Sequence, residues 1–353
     1  MAKVRTTISD VAREAGVSKG LVSFALNDRP GVAQETRERI LDVADRLGWR
    51  PNLRARSLST NRAFAIGLVI ARDPGIIAGD PFFPAFIAGV ESTLAPAGMS
   101  LVLSMVVDEA AETQSYRQLA ENDRVDGVIL TDLRHDDSRV RLVAELGLRA
   151  VTLGRPDAAS PLPAVSLDDG PGIRAAVIHL AELGHRRIAH VAGPSRMLHG
   201  TRRRDSFAAE LAQLGLADDL IVETDFTAAD GARATRELLA RTDRPTAIVY
   251  ANDPMAIAGI GVAQRLGFRV PDDLSVTGFD GSDVGEYLHP ALTTVTTAVS
   301  EWGGEAARTL LQLIDQDAAS DVDLAPARLV VRESTSHPSP TGGTVAADRK
   351  EEP

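Results

Sequence analysis

His185 and His190 stand five residues apart, and paired imidazoles are one way to begin a zinc site, but no third ligand lies near them in the sequence and metal binding is not expected. Gly259-Ile260-Gly261 opens like a dinucleotide fingerprint. The third glycine is missing and the run has helical patterning, where small residues serve close packing instead. The chain contains no G-x-x-x-x-G-K-[ST], G-x-S-x-G or H-E-x-x-H motif and no cysteine. That removes the common phosphate-cradling, serine-hydrolase and zincin signatures, together with thiolate nucleophiles, Cys-ligated zinc and iron–sulfur clusters. No catalytic residue, cofactor or metal is therefore expected. What remains is chemistry by charge. Residues 1–62 hold 12 Lys+Arg against 7 Asp+Glu, a balance of +5, while the rest of the chain holds 26 against 42, a balance of −16. A local cationic patch attracts phosphate whatever the net charge, here −11, so the basic end points to nucleic acid.

The elements that must carry these charges are legible in outline. At 353 residues the chain exceeds one ordinary core, and two or three domains are expected. Hydrophobic residues at 44% and charged residues at 25% are ordinary globular usage, which excludes wholesale disorder. The opening MAKVRTTISDVAREAG lacks the apolar core of a secretory signal, and no later run has membrane-spanning length, so a cytoplasmic protein without a membrane partner is expected. Ile8, Val11, Ala12 and Ala15 recur at helical spacing after Ser9, a candidate N-cap, and Gly16 supplies a turn. Ser18 can cap a second helix striped by Leu21, Val22 and Ala25, which NDRPG ends; a third runs through Ile40, Val43, Ala44 and Leu47 to Gly48. A helix, a glycine turn and a short helix with a polar start form a helix-turn-helix, whose second helix can enter a major groove. From Ala65, β-branched runs such as AIGLVI, SLVLSMV, DGVIL, IAHVAG, TAIVYA and LSVTGFD alternate with helical stretches. This predicts an α/β fold of doubly wound parallel sheets, two of them in the roughly 270 residues available, with ligand at the strand C-terminal ends between lobes. Residues 336–353 are Pro/Gly/Ser-rich and charged, and disorder is expected there.

The run TISDVAREAGVSKGLVSFALNDRPGVAQETRERILDVADRLGWRPN resembles, without a gap, the N-terminal headpiece of the lactose-repressor/galactose-repressor (LacI/GalR) family of bacterial transcription factors. The resemblance implies a DNA-binding headpiece over 1–50 with Ser18, Lys19, Gly20 and Ser23 on its recognition helix. Lys19 and Gly20 fall at the positions that choose operator bases: lysine can donate to guanine O6 and N7, and glycine leaves room. Thr7, Ser18 and Asn27 would hold phosphates, fixing register without reading sequence; helix capping is an equal role for Thr7 and Ser18. Phe24 stands where many members carry an arginine for a guanine, and it can only touch a thymine methyl or pack. Ala33 replaces the usual hydroxyl residue and weakens the third helix's cap. Residues 51–62 resemble the family's hinge helix, in which Leu58 would wedge between base steps, Arg54 meet phosphate and Ala55 permit close approach. Without DNA the same segment would be a flexible linker.

The resemblance continues to about Thr335 through DPFFPAFIAGVE, GHRRIAHVAGP, AIVYANDPMAIAGIGVAQRLGFRVPDDLSVTGFDG, HPALTTV and RLVVREST. It implies an effector-binding core of periplasmic-binding-protein type over 63–335, with three crossovers between a first lobe of about 63–165 and 295–326 and a second of 166–294 and 327–335. Phe83, Arg203, Phe226, Asn252 and Asp280 match positions where members touch a small effector. Arg155 and Asp168 are further candidates, each equally suited to loop capping or ion pairing, and Phe83 and Phe226 are equally suited to a core. Ser206 replaces the glycine of the family's R-x-x-G-[FY] element beside Arg203. A ring face, a carboxylate, a guanidinium fork and an amide together suit a polyol, so a carbohydrate effector is expected ahead of a nucleobase or other ligand. The whole predicts a sequence-specific transcriptional regulator, acting as a repressor, whose homodimer binds a pseudo-palindromic double-stranded operator under effector control. A carbohydrate-binding module without a DNA role is the rival, and the basic end opposes it.

Overall fold

The computed structural model describes residues 6–26, 29–49, 60 and 62–339, and the chain divides into two compact units, Met1–Arg62 and Ala63–Pro353. In the first, α1 (Ile8–Ala15), α2 (Lys19–Leu26) and α3 (Gln34–Arg46) close over a small core in which Val11, Val22 and Ile40 are wholly buried. The first helix is capped by Thr7, not Ser9. Thr7 keeps an extended backbone, and its N–H and hydroxyl both donate to the Asp10 carboxylate at 3.0 and 2.7 Å, whereas Ser9 already lies inside the first turn. Gly16 takes the left-handed conformation that the tight turn into α2 requires, and Ser18 Oγ accepts from Leu21 N–H at 3.2 Å, as expected of a cap. Ala33 precedes α3 without a side-chain bond. The helix closes through Gly48 N–H to Asp45 O and Trp49 N–H to Ala44 O, both 2.9 Å, the paired bonds of a Schellman ending.

The second unit holds two six-stranded sheets. One orders β11 (Val322–Asp323), β5 (Ala164–Ser166), β4 (Arg149–Leu153), β3 (Gly127–Leu130), β1 (Ala65–Ala71) and β2 (Ser100–Val106), all parallel. The other orders β12 (Arg328–Val330), β10 (Thr293–Thr296), β9 (Ser275–Asp280), β8 (Ala247–Tyr250), β6 (Ile188–Ala192) and β7 (Ile221–Glu223), parallel except that β12 runs against β10. The buried strands read BBBB or nearly so, as strands covered by helices on both faces must. Helices α4 (Pro74–Gly79), α5 (Phe82–Leu94), α6 (Glu109–Glu121), α7 (Ser138–Glu145) and α12 (Val299–Gln316) serve the first lobe; α8 (Gly170–Glu182), α9 (Leu198–Gln213), α10 (Ala228–Leu239) and α11 (Asp253–Arg265) serve the second.

The chain passes between sheets after β5, β10 and β11. Because β5 ends at Ser166 and β10 pairs with β9 through Thr296, the first two crossings fall one and two residues beyond the expected boundaries. Ser336, His337 and Ser339 bond to Pro271 O, Leu183 O and Asp272 O, so the packed chain runs past the boundary expected at 335. Helix α12, which hydrophobic patterning did not single out, lies against α5 so closely that a Cβ on Gly89 or Gly303 would collide with the facing backbone. Gly259 is held the same way: a Cβ there would strike the Tyr250 hydroxyl, so the small-residue run of α11 serves packing.

Candidate functional site

Each unit offers one surface with functional side chains. On the helical unit, Lys19 and Gly20 open α2 and are exposed, Ser18 caps it, Ser23 is half-buried one turn on, and Phe24 stands 42% exposed with the Arg29 guanidinium 5.8 Å from its ring centroid. Thr7 is exposed at the start of α1 with its hydroxyl engaged by Asp10. Asn27, Arg54, Ala55 and Leu58 lie outside the described residues. The exposed start of α2 combines a cation, a hydroxyl and a glycine, which is what a helix entering a groove needs at its leading end.

In the two-lobed unit a cleft lies between the sheets, lined from the first lobe by Arg72, Asp80, Phe82, Asp132, Leu153 and Trp302 and from the second by Asp169, His199, Arg203, Phe226, Asn252 and Asp280. Five of these sit at or just past the C-terminal end of a parallel strand: Arg72 after β1, Asp132 after β3, Leu153 ending β4, Asn252 after β8 and Asp280 ending β9. Arg203, on α9, donates from Nε to Asp169 Oδ2 at 2.7 Å and from Nη1 to Ala251 O at 2.8 Å, and its guanidinium carbon lies 3.6 Å from the Phe279 ring centroid. Arg72 mirrors it in the first lobe, with a fork of two 2.6 Å bonds to Asp132 and a longer 3.4 Å contact to Asp80. Asn252 caps α11 by accepting from Met255 N–H at 3.0 Å and donates to Phe226 O at 2.9 Å, leaving one N–H and one lone pair of its amide.

Burial sets the protonation states here. It pushes the Asp280 carboxyl well above its ordinary range, with Arg203 opposing, and it raises Asp80. Burial acts to raise Asp132 too, but the Arg72 charge and hydrogen bonds together with the other neighbouring bases outweigh it and hold that carboxyl below its usual value. His199 is driven down to about 3 by burial and is neutral. Asp280 adopts φ 109°, a conformation costing a non-glycine residue roughly 1–3 kcal/mol and found where a site dictates the backbone.

The structure brings together Arg203, Phe226, Asn252 and Asp280, and separates three other expected site residues from them. Phe83 is 1% exposed in the first-lobe core; it is the adjacent Phe82 that reaches the cleft, edge-on to Trp302 at 6.1 Å. One residue on a helix is a 100° turn, enough to exchange core for cavity. Arg155 forks onto Asp323 at 2.5 and 3.0 Å, and Asp168 accepts from Gly170 N–H at 2.9 Å. Both line an outer compartment that meets the inner cleft at Leu153, Asp169, His199 and Trp302, and Asp169 rather than Asp168 faces Arg203. The Phe226 ring is stacked on His199 at 5.4 Å and packed over Gly193, where any Cβ would strike it. Ser206 sits in regular helix and leaves Arg203 undisturbed. Arg72, Asp80, Asp132, Asp169, His199 and Trp302 were not anticipated, although the rule that ligands meet the C-terminal ends of parallel strands marks Arg72 and Asp132. His185 bonds Thr246 and Ser275, and His190 donates Nδ1–H to Val249 O. Among the described residues no cluster of three or more His, Cys, Asp or Glu could hold a metal ion, and no helix is long and apolar enough to cross a membrane.

A helix-turn-helix unit joined in one chain to a two-lobed unit with a polar, aromatic-walled cleft defines a ligand-responsive DNA-binding regulator. Residues 7–52 match the family model described as bacterial regulatory proteins, lacI family, and residues 177–335 match that of a periplasmic binding protein-like domain. The chain is 34% identical over 335 residues to the HTH-type transcriptional regulator CelR of Thermobifida fusca, covering 94% of this chain and 98% of that one. It is 33% identical over 331 residues to the ribose operon repressor of Halalkalibacterium halodurans, covering 94% and 97%. Among solved structures, the lac repressor dimer bound to operator and the anti-inducer ONPF superposes with a TM-score of 0.82 at 28% identity, covering 94% of this chain and 99% of that one. The CelR–cellobiose complex gives 0.72 at 34%, covering 94% and 100%. The chain belongs to the lacI family of bacterial regulatory proteins; it is a DNA-binding transcriptional regulator rather than an enzyme.

Proposed function

We propose that the protein is a cytoplasmic repressor whose homodimer binds a pseudo-palindromic operator, with operator affinity set by a carbohydrate held between the lobes. The observation that carries this reading is the meeting of Arg203, Asn252 and Asp280 with Phe82 and Trp302 in one interlobe cleft, in a chain that also presents an exposed Lys19 at the head of a helix-turn-helix. Carboxylate, amide and guanidinium handle hydroxyl groups while aromatic walls cover the C–H faces of a sugar ring. Two headpieces on one dimer raise the effective concentration of the second for its half-site, which explains why the operator should be two-fold symmetric. Lys19 and Gly20 select bases, Thr7, Ser18 and Asn27 hold phosphate, and Ser23 and Phe24 complete the reading face. Residues 51–62 act as the hinge, with Leu58 as wedge beside Arg54 and Ala55. The lac repressor structure holds operator DNA as a dimer and the CelR structure holds cellobiose, and both support this assignment by likeness. Selection of duplexes from a random pool by the full-length protein tests it. An enriched sequence with two-fold symmetry is expected, and a pool that remains random with and without sugars overturns the proposal.

A further inference from the structure

The two guanidinium groups lining the inner cleft are already neutralised from within the protein. Arg72 is forked by Asp132, with Asp80 at 3.4 Å, and Arg203 is paired with Asp169 at 2.7 Å while its Nη1 is held by the Ala251 carbonyl. Asp132 and Asp169 therefore use up the two arginines, burial tips Asp80 and Asp280 toward their neutral forms, and His199 adds no charge at neutral pH, so the inner cleft offers no unspent cation. Two acceptors are left over. Asp169 Oδ1 is buried, in a residue 9% exposed, and has no hydrogen-bond partner among the described residues, and the Asp280 carboxyl takes none from any described side chain. In the outer compartment Arg202 has no ion pair among the described residues, but it donates to the Arg155 carbonyl oxygen at 2.6 Å and shares that compartment with Asp168 and Asp323.

A phosphate or carboxylate needs buried donors whose charge is unspent, and a desolvated anion with no free counter-charge is strongly disfavoured. A hydroxyl group can instead donate to the waiting oxygens at no charge cost. We infer that the effector is an uncharged sugar, free of phosphate and carboxylate, whose hydroxyl groups donate to Asp280 and to Asp169 Oδ1. This rests on the carbohydrate reading above and narrows it: the cleft reports a sugar in its unphosphorylated form and is blind to the phosphorylated product of a kinase or phosphotransfer step.

The test is thermal shift followed by calorimetry on the full-length protein with matched pairs: cellobiose and cellobiose 6-phosphate, ribose and ribose 5-phosphate, glucose and glucose 6-phosphate, and glucose against glucuronate and glucosamine. At least one neutral sugar is expected to raise the midpoint, with its anionic counterpart binding tenfold or more weakly. An anionic member binding as well as or better than its neutral partner overturns the inference while leaving a carbohydrate effector in place, and glucosamine binding tenfold tighter than glucose overturns it in favour of a cationic ligand. If no member of the panel binds, both the inference and the carbohydrate reading fall, whereas the operator selection stands or fails separately.

Discussion

The helical unit exposes the residues it uses, and the two-lobed unit buries them. Lys19, Gly20 and Phe24 sit at the surface of α2 over a core of small and β-branched residues, whereas Arg203, Asn252 and Asp169 are each less than a tenth exposed. The difference follows from the partner. Duplex DNA is a large polyanion read in solvent, where a cation needs no internal counter-charge and helps most when unpaired. A small neutral ligand must be surrounded, so its hydrogen-bonding groups are desolvated and have to be fixed and balanced by one another.

The contrast predicts where each unit is vulnerable. Arg203→Ala leaves Asp169 buried beside other carboxylates; loss of roughly 3–5 kcal/mol from the two-lobed unit is expected, because an uncompensated buried charge remains. Effector binding should vanish while circular dichroism still reports folded headpiece helices, and an unchanged unfolding midpoint would mean that the pair is not buried as described. Acid separates the units next. Burial lowers His185 and His190 to about 4 and His199 to about 3, so the unfolded chain takes up protons that the folded lobes refuse. Stability from these groups is complete above about pH 6.5 and is lost as pH falls toward 4, on the order of 3 kcal/mol from His190 alone. Asp253, raised to about 6 by burial, shifts the balance the other way over part of that window. Residues 1–62 contain no histidine, so denaturant titrations at pH 7 and pH 5 should weaken the lobes and leave the helical unit almost unaffected.

Smaller effects test the surface of the helical unit. Lys19→Ala should cost about 1–3 kcal/mol of discrimination at one base position and reorder a set of operator variants, since a lost base contact relaxes one position only. An unaltered ranking would remove Lys19 from base readout. Ser18→Ala should cost about 1 kcal/mol of headpiece stability through the lost bond to Leu21 N–H. If Ser18 also holds a phosphate, the change weakens all operators alike, and a stability loss without that uniform weakening would limit its role to capping.

The two regions were also unequally legible. The helix-turn-helix is encoded within a few residues: apolar spacing places α1 to α3, and Ser18, Gly16 and Gly48 punctuate them where they were expected to. The misplaced cap at Ser9 rather than Thr7 reflects how little separates two hydroxyl residues on pattern alone. The cleft is assembled from residues as distant as Arg72 and Trp302, and nothing local marks them. Family likeness points to Arg203, Asn252, Asp280 and Phe226, which line the cleft, and to Phe83 and Asp168, whose neighbours Phe82 and Asp169 line it in their place, because helix phase or a helix start decides which side chain faces the cavity. The alternation of strands and helices was plain in the sequence. The antiparallel β12 and the long helix α12 were not, because their places depend on the second and third crossings rather than on their own composition.

The central claim is that the cleft and the reading head are energetically coupled, and effector affinity measured by calorimetry with and without saturating operator duplex tests it most directly. The account predicts affinities differing by about 5- to 150-fold, with operator affinity changing by the same factor when effector is added. Equal effector affinities in the two titrations would contradict it.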